Sequence, residues 1–559
     1  MKKLPYGISD YEKIIKDNYY YVDKTMNIEK LENLSEPYIM FLRPRKFGKT
    51  LFTSTLEHYY DINQKNEFET LFSQTYIGKN PTKLKNSYHV LRFNFSGIDT
   101  SSGNATISGF KARTMSAIKV FCEKYKLDFY INENDEAENI LDNLFKAFYI
   151  QKASERLYVI IDEYDHFSNE LLGFDTEKFR DLVSKNGKIR KWYEVLKQGT
   201  ESVVDRIFIT GVAPITLDSL TSGFNISTDI TQDEQFNEML GFTKKELIVL
   251  MKEQDISKEK QELLLPLLKE NYDGYIFSMY GNESVYNSNM CLFLLSQYIR
   301  LKRIPEDLVD SNIASDYSKL GGMLDICEGD NKMQILERTI SGEGILTEIT
   351  RKFNPEIGFG EKEFASMLFY LGYLTIRGNL IGKAKLQIPN LIMRELYSSY
   401  FMELVNNKAN LKIDQNDYNE IIEQIAYRGE ITKLTELLHI YLNNLSNRDF
   451  QRFDEKYVKL ICYCLAMNLK IFSVKSELEV NRNYPDLLIT PHDKTKGYKS
   501  VMIEFKYLKK NEFQRLTEKQ KEAKEQIERY GEFGDIKNIK GLSKYTIVVV
   551  NDTVYVEKV

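Results

Sequence analysis

The stretch FLRPRKFGKTL, residues 41–51, decides the fold of the first part of this chain. An apolar segment at residues 38–42 leads into it, and apolar residues at helical spacing follow it, so the pattern predicts a strand, a loop and a helix. This is the context of a phosphate-binding loop. Gly48 and Lys49 would offer backbone N–H groups and an ammonium to nucleotide phosphates, and the Thr50 hydroxyl would contact Mg²⁺.

The loop departs from the usual phosphate-binding pattern at its start, because Arg43 stands where such a loop usually has its first glycine. Pro44 fixes its own φ and favours an extended Arg43, so a different turn out of the strand can form there. Arg45, in the same loop, is a further candidate for nucleotide contact. On the Gly-Lys-Thr tripeptide alone, a loop that contains this sequence by chance is an equally good interpretation.

A second signal is the segment RLYVIIDEYDHF, residues 156–167, in which five apolar residues precede Asp162 and Glu163. The pattern is typical of a buried parallel strand that delivers two carboxylates at its C-terminal end. Asp162 would hold the Mg²⁺ shell, and Glu163 would polarise a water for attack on the γ-phosphate. A buried strand that ends in two acids is common by chance, but its occurrence after a Gly-Lys-Thr loop is much less so.

Two further strands complete the prediction of a parallel sheet covered by helices on both faces. RIFITGVAPIT, residues 206–216, ends its apolar run at Thr210, whose hydroxyl could contact the attacking water or the γ-phosphate. A strand followed by a glycine turn is the simpler interpretation of that position. SYHVLRFNFSG, residues 87–97, supplies another strand of the same sheet.

The middle of the chain predicts mainly helices. Residues 231–320 show apolar spacings of three and four, and a helical lid over the nucleotide is expected there. Within 321–410, residues 361–397 predict helix, strand, turn, strand and helix, a winged-helix-like module that either binds DNA or packs between domains. Its few basic residues favour packing. Residues 411–469 predict a helical connector.

The C-terminal segment, residues 470–559, carries a second group of acidic and basic residues. A strand that begins near Asp486 is joined by a polar turn to a strand that contains Glu504 and Lys506, and strand alternation points these two side chains to one face. The result is a two-carboxylate cup that can hold Mg²⁺, with Lys506 orienting or deprotonating a water for attack on a phosphodiester. Surface hairpins often show the same spacing by chance. Glu477 and Glu479 lie upstream on alternating positions of one face, and either could add a metal ligand.

Six ordered blocks over about 290 residues resemble the bacterial AAA-ATPase-like family, in which arginine routinely replaces the first loop glycine. The resemblance implies a P-loop NTPase domain at residues 1–230 that uses ATP and Mg²⁺, with Lys49, Thr50, Asp162 and Glu163 in the roles given above. The blocks are residues 4–25, 43–51, 160–165, 210–225, 240–247 and 271–278.

The last 90 or so residues resemble the PD-(D/E)XK nuclease superfamily, in a nuclease-like domain that commonly follows this ATPase-like domain. The resemblance implies an α/β restriction-endonuclease-like fold with Asp486, Glu504 and Lys506 as the catalytic set. Glu479 would be the upstream acid, and Gln526, on a predicted helix at 520–531, a later contributor. The family usually has glycines and an arginine just before the aspartate, which this chain lacks.

Composition sets the broad class. The chain has 559 residues, 42% hydrophobic and 28% charged, which is typical of a multidomain globular protein. Its five cysteines form neither a metal quartet nor a disulfide framework, and a reducing cytoplasm is expected. The start lacks the apolar core of a signal peptide, and no membrane span is expected. Residues 470–559 carry 18 Lys and Arg against 14 Asp and Glu, although the whole chain has a net charge of −5.

These observations favour an ATPase whose nucleotide state gates a metal-dependent nuclease, with nucleic acid, most simply DNA, as the partner of the C-terminal domain. The family architecture suggests defence against mobile DNA or its maintenance. The alternative is a nucleotide-switched DNA-binding or signalling module that keeps an inactive nuclease fold. An idle ATPase is a third hypothesis. No arginine finger can be assigned from the sequence, so an oligomer and a monomer are both left open.

Overall fold

The computed structural model describes residues 2–166, 187–214, 224–305, 307–310, 320, 331–351, 353, 360–444, 454–476, 485–493 and 496–559. The chain divides into two compact units. The first unit comprises Met1–Arg300, Asp310–Glu328 and Leu346–Asn390, and the second comprises Leu301–Val309, Gly329–Ile345 and Leu391–Val559. The division at residues 390 and 391 falls inside the segment 321–410, for which the sequence predicts one winged-helix-like module.

The first unit is built on a five-stranded parallel sheet with helices, as the sequence predicts. Its strand order is β2-β3-β4-β1-β5. The elements from the start of the chain to the end of this sheet are α1 (Tyr11–Lys16), α2 (Met26–Glu32), β1 (Tyr38–Leu42), α3 (Lys49–Tyr60), α4 (Phe68–Phe72), α5 (Tyr76–Lys79), β2 (His89–Asn94), α6 (Gly103–Tyr125), α7 (Ala137–Gln151), β3 (Leu157–Asp162), α8 (Lys188–Gly199), β4 (Val204–Gly211) and β5 (Thr228–Asp229).

The apolar runs explain why these strands lie inside the sheet. Every residue of β3 is buried, and so are the last four residues of β1, which suits a parallel sheet whose two faces are both covered. One strand, β4, separates β1 from β3. Because all five strands are parallel, their carboxyl ends meet at one edge of the sheet, and the predicted nucleotide-binding residues follow three of these ends.

Helices and a small hairpin follow the sheet. They comprise α9 (Lys244–Glu253), α10 (Lys258–Tyr272), α11 (Ser288–Leu301), α12 (Asn331–Ile340), β6 (Ile345–Thr347), α13 (Glu361–Tyr370), β7 (Thr375–Leu380) and β8 (Lys383–Gln387). The start of α9 is a capping box, because the Thr243 hydroxyl accepts from Glu246 N at 3.2 Å and Thr243 N donates to the Glu246 carboxylate at 2.7 Å. The helix predicted from residue 361 onward is α13. The two predicted strands joined by a turn are β7 and β8, and these two strands pair antiparallel.

The second unit contains a mixed five-stranded sheet of order β13-β12-β11-β10-β9, in which only β11 and β12 are parallel neighbours. Leu488 and Met502 of the sheet pack with Ile527 and Tyr530, so the helix Leu516–Gly531 covers one face of this sheet. Its elements are α14 (Leu391–Ala409), α15 (Gln415–Glu423), a π-helical turn (Gln424–Arg428), α16 (Thr432–Asn444), α17 (Glu455–Met467), β9 (Phe472–Lys475), β10 (Leu487–Pro491), β11 (Ser500–Leu508), α18 (Leu516–Gly531), α19 (Gly534–Lys537), β12 (Leu542–Val550) and β13 (Thr553–Lys558).

Within the described residues, no helix combines the length and the apolar character needed to cross a membrane.

Candidate functional sites

The loop between β1 and α3 has the backbone of a phosphate-binding turn. Gly48 has a φ of 97°, in the left-handed region that favours glycine, and α3 begins at the next residue. Lys49 is buried, and its ammonium donates to the carbonyl oxygens of Arg43 at 2.9 Å and Pro44 at 3.1 Å. The loop therefore holds the lysine over its own backbone, at the start of a helix whose N–H groups are free to bind an anion.

Arg43, which replaces the usual glycine, is a structural clamp. Only 1% of the residue is exposed, and its guanidinium lies between the rings of Phe41 and Phe277, 4.2 and 4.1 Å from their centroids. The same group donates to the carbonyl oxygens of Leu42, Thr231 and Phe236, each at 2.8 Å. Burial lowers the pKa of Arg43 to about 9, against the opposing effect of the Asp229 carboxylate. The arginine thus ties the end of β1 to the segment that follows β5.

Asp162, at the end of β3, is fully buried and lies beside the phosphate loop. One carboxylate oxygen accepts from the Thr53 hydroxyl at 3.3 Å and from the Arg92 guanidinium at 3.4 Å. The other oxygen, Oδ1, meets no hydrogen-bond donor in the described part of the chain. Burial raises the pKa of Asp162, while the positive charges of Arg92 and Lys49 act in the opposite direction. A buried carboxylate oxygen without a partner suits a Mg²⁺ ion held with Thr50.

Glu163 has a backbone conformation that is unusual for a residue with a side chain, since its φ is 54°. Such strain persists only where neighbouring contacts enforce it. Tyr164 N donates to Thr210 O, and the buried Asp165 carboxylate accepts from Val212 N and Ala213 N at 2.9 and 2.7 Å. These bonds lock the end of β3 onto the end of β4. The turn directs Glu163 toward the cavity described next.

A cavity of about 330 Å³ lies over the phosphate loop, in the size range of small-molecule sites. Gly48, Lys49, Thr50 and Glu163 form its polar end. The remaining wall is largely apolar and comes from three distant segments, with Tyr20, Tyr21, Val22, Leu240, Gly241, Phe242, Leu250 and Leu292 among its residues. An apolar wall beyond a phosphate loop is suited to the base of a nucleotide.

The wall is held together by an ion pair between two of its segments. The Lys24 ammonium lies 2.7 Å from the Glu246 carboxylate and donates to Glu238 O at 3.1 Å, which ties the N-terminal segment to α9. Residues 240–242, Leu250 of α9 and Leu292 of α11 all lie in the region for which the sequence predicts a lid. The N-terminal segment belongs to the family-like block at residues 4–25, for whose residues 21–24 adenine contact and domain contact are both interpretations, and Tyr21, Val22 and Lys24 line the cavity.

Three of the predicted nucleotide-binding residues, Arg45, Asp162 and Thr210, do not line this cavity. The Thr210 hydroxyl donates to Phe41 O at 2.8 Å and is buried between strands. Arg45 is half-buried in the phosphate loop. The roles of all six residues toward a nucleotide stay predictions. Gly48, Lys49, Thr50 and Asp162 lie with Glu163 at one sheet edge.

In the second unit, Asp486, Glu504 and Lys506 lie together on the central strands. Phe505 N donates to an Asp486 oxygen at 2.7 Å, and the Lys506 ammonium lies 3.2 Å from Glu504 Oε1. The carboxylates and the lysine lie inside the fold, since Glu504 is 3% and Lys506 7% exposed. The reason is that both side chains share the face of Met502, which α18 covers.

Lys459, in α17, is a member of this site that sequence reasoning missed. Its ammonium lies 2.6 Å from the other Asp486 oxygen and 2.9 Å from Glu455, and the residue is buried. Burial alone lowers the pKa of Lys459, but the carboxylates of Asp486 and Glu455 outweigh it and raise the pKa overall. A lysine within the otherwise apolar run VKLICYCLAM of α17 is the signal that could have found it.

Two side-chain oxygens of the second site could act as ligands of a divalent cation. Glu504 Oε2 and Gln526 Oε1 are buried and find no hydrogen-bond donor among the residues that the structure describes. Burial raises the pKa of Glu504, against the charge of Lys506. Glu479, the predicted upstream ligand, lies outside the described residues. Within those residues, no group of three or more His, Cys, Asp or Glu side chains is arranged as a metal site, so the carboxylates there that could hold a metal are Asp486 and Glu504.

We expect Lys459→Met to increase the stabilisation of the protein by Mg²⁺. Without the ammonium, the buried Asp486 carboxylate loses a cation that lies 2.6 Å from one of its oxygens, which lowers stability in EDTA by about 3 kcal/mol. Added Mg²⁺ then neutralises Asp486 without competition from a lysine. Thermal melting in EDTA and in Mg²⁺ measures the difference. Lys456→Met, on the same helix but half-exposed, is the control, and equal gains in melting temperature for both variants would contradict the prediction.

The fold and the two sites define a P-loop NTPase unit and a nuclease-like unit in one chain. Comparison with known families gives the same result. Residues 5–221 match the family described as predicted AAA-ATPase, and residues 453–559 match the PD-(D/E)XK nuclease superfamily. The chain therefore carries an AAA-ATPase-like domain and a C-terminal PD-(D/E)XK nuclease superfamily domain, and both resemblances drawn from the sequence are confirmed. The second match begins before α17 and so includes Lys459.

Individual relatives add little about function. The "Uncharacterized protein in vnfD 5'region" of Azotobacter chroococcum mcd 1 is 27% identical over 300 residues, which is 53% of this chain and 52% of that protein. The chain thus spans about half the length of this relative. Among solved structures, "Structure of Drosophila ORC bound to GC-rich DNA and Cdc6" is 12% identical, with a TM-score of 0.23 over 83% of this chain and 67% of that chain. That score is too low to indicate a shared fold.

Proposed function

We propose that this chain binds and hydrolyses ATP, and that its nucleotide state gates a Mg²⁺-dependent nuclease domain that cleaves nucleic acid. The observation that carries the proposal is that each unit places a buried, partly unpartnered carboxylate near a lysine. The charge of Lys49 acts on Asp162 in the first unit, and the Lys506 ammonium lies 3.2 Å from Glu504 in the second. Each pair suits a cation held against phosphate oxygens.

In the first unit, the apolar wall of the cavity would hold the base, and the loop N–H groups and Lys49 would hold the phosphates. Thr50 and Asp162 would hold Mg²⁺, which neutralises charge on the phosphates when bound. Glu163, fixed at the cavity by its strained turn, would orient the attacking water and accept its proton. Arg92 keeps the Asp162 carboxylate turned toward the loop.

In the second unit, Asp486 and Glu504 would hold a Mg²⁺ ion that activates a water and stabilises the charge on a phosphodiester. Lys506 would orient that water and stabilise negative charge as the bond breaks. Asp486 is positioned for this by the backbone N–H of Phe505, which fixes one of its oxygens. The other oxygen must exchange the Lys459 ammonium for the metal.

One observation favours a second function. Both carboxylates of the nuclease site are almost fully buried, and lysines neutralise them. This arrangement is stable without a metal, so it also suits a nucleotide-switched DNA-binding or signalling module in which the nuclease fold is inactive. A role in defence against mobile DNA or in its maintenance is part of the first proposal and rests on the family resemblance.

The test of the proposal is cleavage of plasmid and single-stranded DNA in Mg²⁺ by the full chain, with ATP, with ADP or without nucleotide. We expect wild-type cleavage that depends on the nucleotide. Asp486→Ala and Lys506→Ala should cleave at least about tenfold more slowly, because each removes a group at the reacting phosphate. Lys521→Ala, on the exposed side of α18, is the control. Equal cleavage by wild type and both site variants would favour the binding module.

A further inference from the structure

Two tyrosines in contact, the exposed Tyr427 and the half-buried Tyr498, lie on the second unit. The ring of Tyr427 meets the ring of Tyr498 edge to face, with centroids 5.7 Å apart and an interplanar angle of 88°. Tyr427 is 68% exposed, although its neighbours Ile425 and Ala426 are buried. A large aromatic side chain so far in solvent gains little from burial, so folding of the domain does not explain its position.

The backbone around the pair is rigid. Tyr427 lies in the π-helical turn, which ends at Gly429 in the left-handed conformation, and turns of this kind are frequent at functional sites. Lys499 N donates to Ala426 O at 2.9 Å, and the Tyr545 hydroxyl donates to Gly429 O at 2.8 Å. These bonds tie the turn to the starts of β11 and β12. The tyrosines are therefore presented on a fixed surface.

Basic side chains lie next to the two tyrosines, in sequence and in one case in space. Arg428, Lys496 and Lys499 are exposed, and the Lys496 ammonium lies 5.9 Å from the centroid of the Tyr498 ring. One acidic side chain, Glu423, is a neighbour of Tyr427. The three basic side chains named above outnumber it. Rigid aromatic faces beside cations are the combination that binds single-stranded nucleic acid, because bases stack on the rings while cations contact the phosphates.

We propose that Tyr427 and Tyr498, with Lys496 and Lys499, form a stacking surface for the bases of a single-stranded polynucleotide. Tyr498 precedes Glu504 by six residues, and an extended strand rises about 3.3 Å per residue, which separates the two by about 20 Å. A single strand bound here would be long enough to reach the nuclease site from a fixed point. The inference deepens the proposed function by naming the substrate as single-stranded, and it rests on that function only for the cleavage step.

Binding is measured by fluorescence anisotropy with a labelled oligothymidine of about 20 nucleotides, in EDTA so that no cleavage occurs. We expect Tyr427→Ala and Tyr498→Ala each to weaken binding at least about fivefold, the effect of losing one stacked base. Tyr427→Phe should bind like wild type, because it keeps the ring. Lys496→Ala and Lys499→Ala should each lower the slope of log K against log salt by about 0.7.

The controls separate this surface from the general charge of the protein and from the nuclease chemistry. Tyr130→Ala removes an 87% exposed tyrosine of the first unit and should leave binding unchanged. Because binding is measured in EDTA, normal binding without cleavage in Mg²⁺ would count against the nuclease alone. The proposal is overturned if wild type does not bind the oligothymidine, if the Tyr→Ala variants bind like wild type, or if they lose affinity equally for a blunt duplex.

Discussion

Glu163→Gln is expected to bind ATP normally and to hydrolyse it at least about a hundredfold more slowly than wild type, the usual scale for loss of a general base. The amide keeps the size of the side chain but cannot accept a proton from the attacking water. Because the strained turn at Glu163 is enforced by backbone bonds and by Asp165, the substitution leaves its geometry in place. Release of inorganic phosphate measures turnover, and fluorescent nucleotide titration measures binding.

The control for this experiment is Glu201→Gln, which removes a carboxylate from an exposed position of the same unit and should hydrolyse ATP like wild type. Lys49→Ala should differ from Glu163→Gln by losing ATP binding, since in the proposed site the ammonium would contact the phosphates directly. Normal turnover in Glu163→Gln would remove this residue from the catalytic role. If neither variant changes a measurable wild-type rate, the phosphate loop does not carry the hydrolysis.

Arg43→Gly restores the residue that phosphate-binding loops usually have, and we expect it to destabilise the first unit by about 3 to 5 kcal/mol. The substitution removes a fully buried side chain, its packing between two phenyl rings and its donation to three carbonyl oxygens. Buried acceptors left without donors cost about 1 to 3 kcal/mol each when nothing replaces the donor. The melting temperature of the nucleotide-free protein should fall by roughly 10 °C.

Arg45→Gly, two residues further along the same loop, is the matched control because Arg45 is only half-buried. Arg45→Gly also introduces a glycine into the loop. If Arg45→Gly loses less stability than Arg43→Gly, the difference is due to the Arg43 side chain. Arg43→Lys should be intermediate, since an ammonium keeps the charge but cannot match the planar guanidinium between two rings. A melting temperature for Arg43→Gly equal to that of wild type would show that the clamp does not stabilise the loop.

Local pattern was enough to place most of both sites. The run before Asp162, the Gly-Lys-Thr after an apolar strand and the alternation of Glu504 with Lys506 are all properties of neighbouring residues. Parallel strands bring their carboxyl ends to one edge, so Lys49 and Asp162 lie at the same edge although 113 residues separate them. The fold class followed from the same patterns.

The sequence by itself therefore determined the two kinds of domain and the acids and lysines at their centres, because strand and helix periodicities are local. Only the tertiary structure decided what Arg43 does, since its carbonyl partner at Thr231 lies 188 residues away. The same holds for the pairing of Lys459 with Asp486, for the burial of Glu504 under α18, and for the apolar cavity wall. Each depends on which distant surfaces pack together, and packing free energy belongs to the whole fold, not to any single segment.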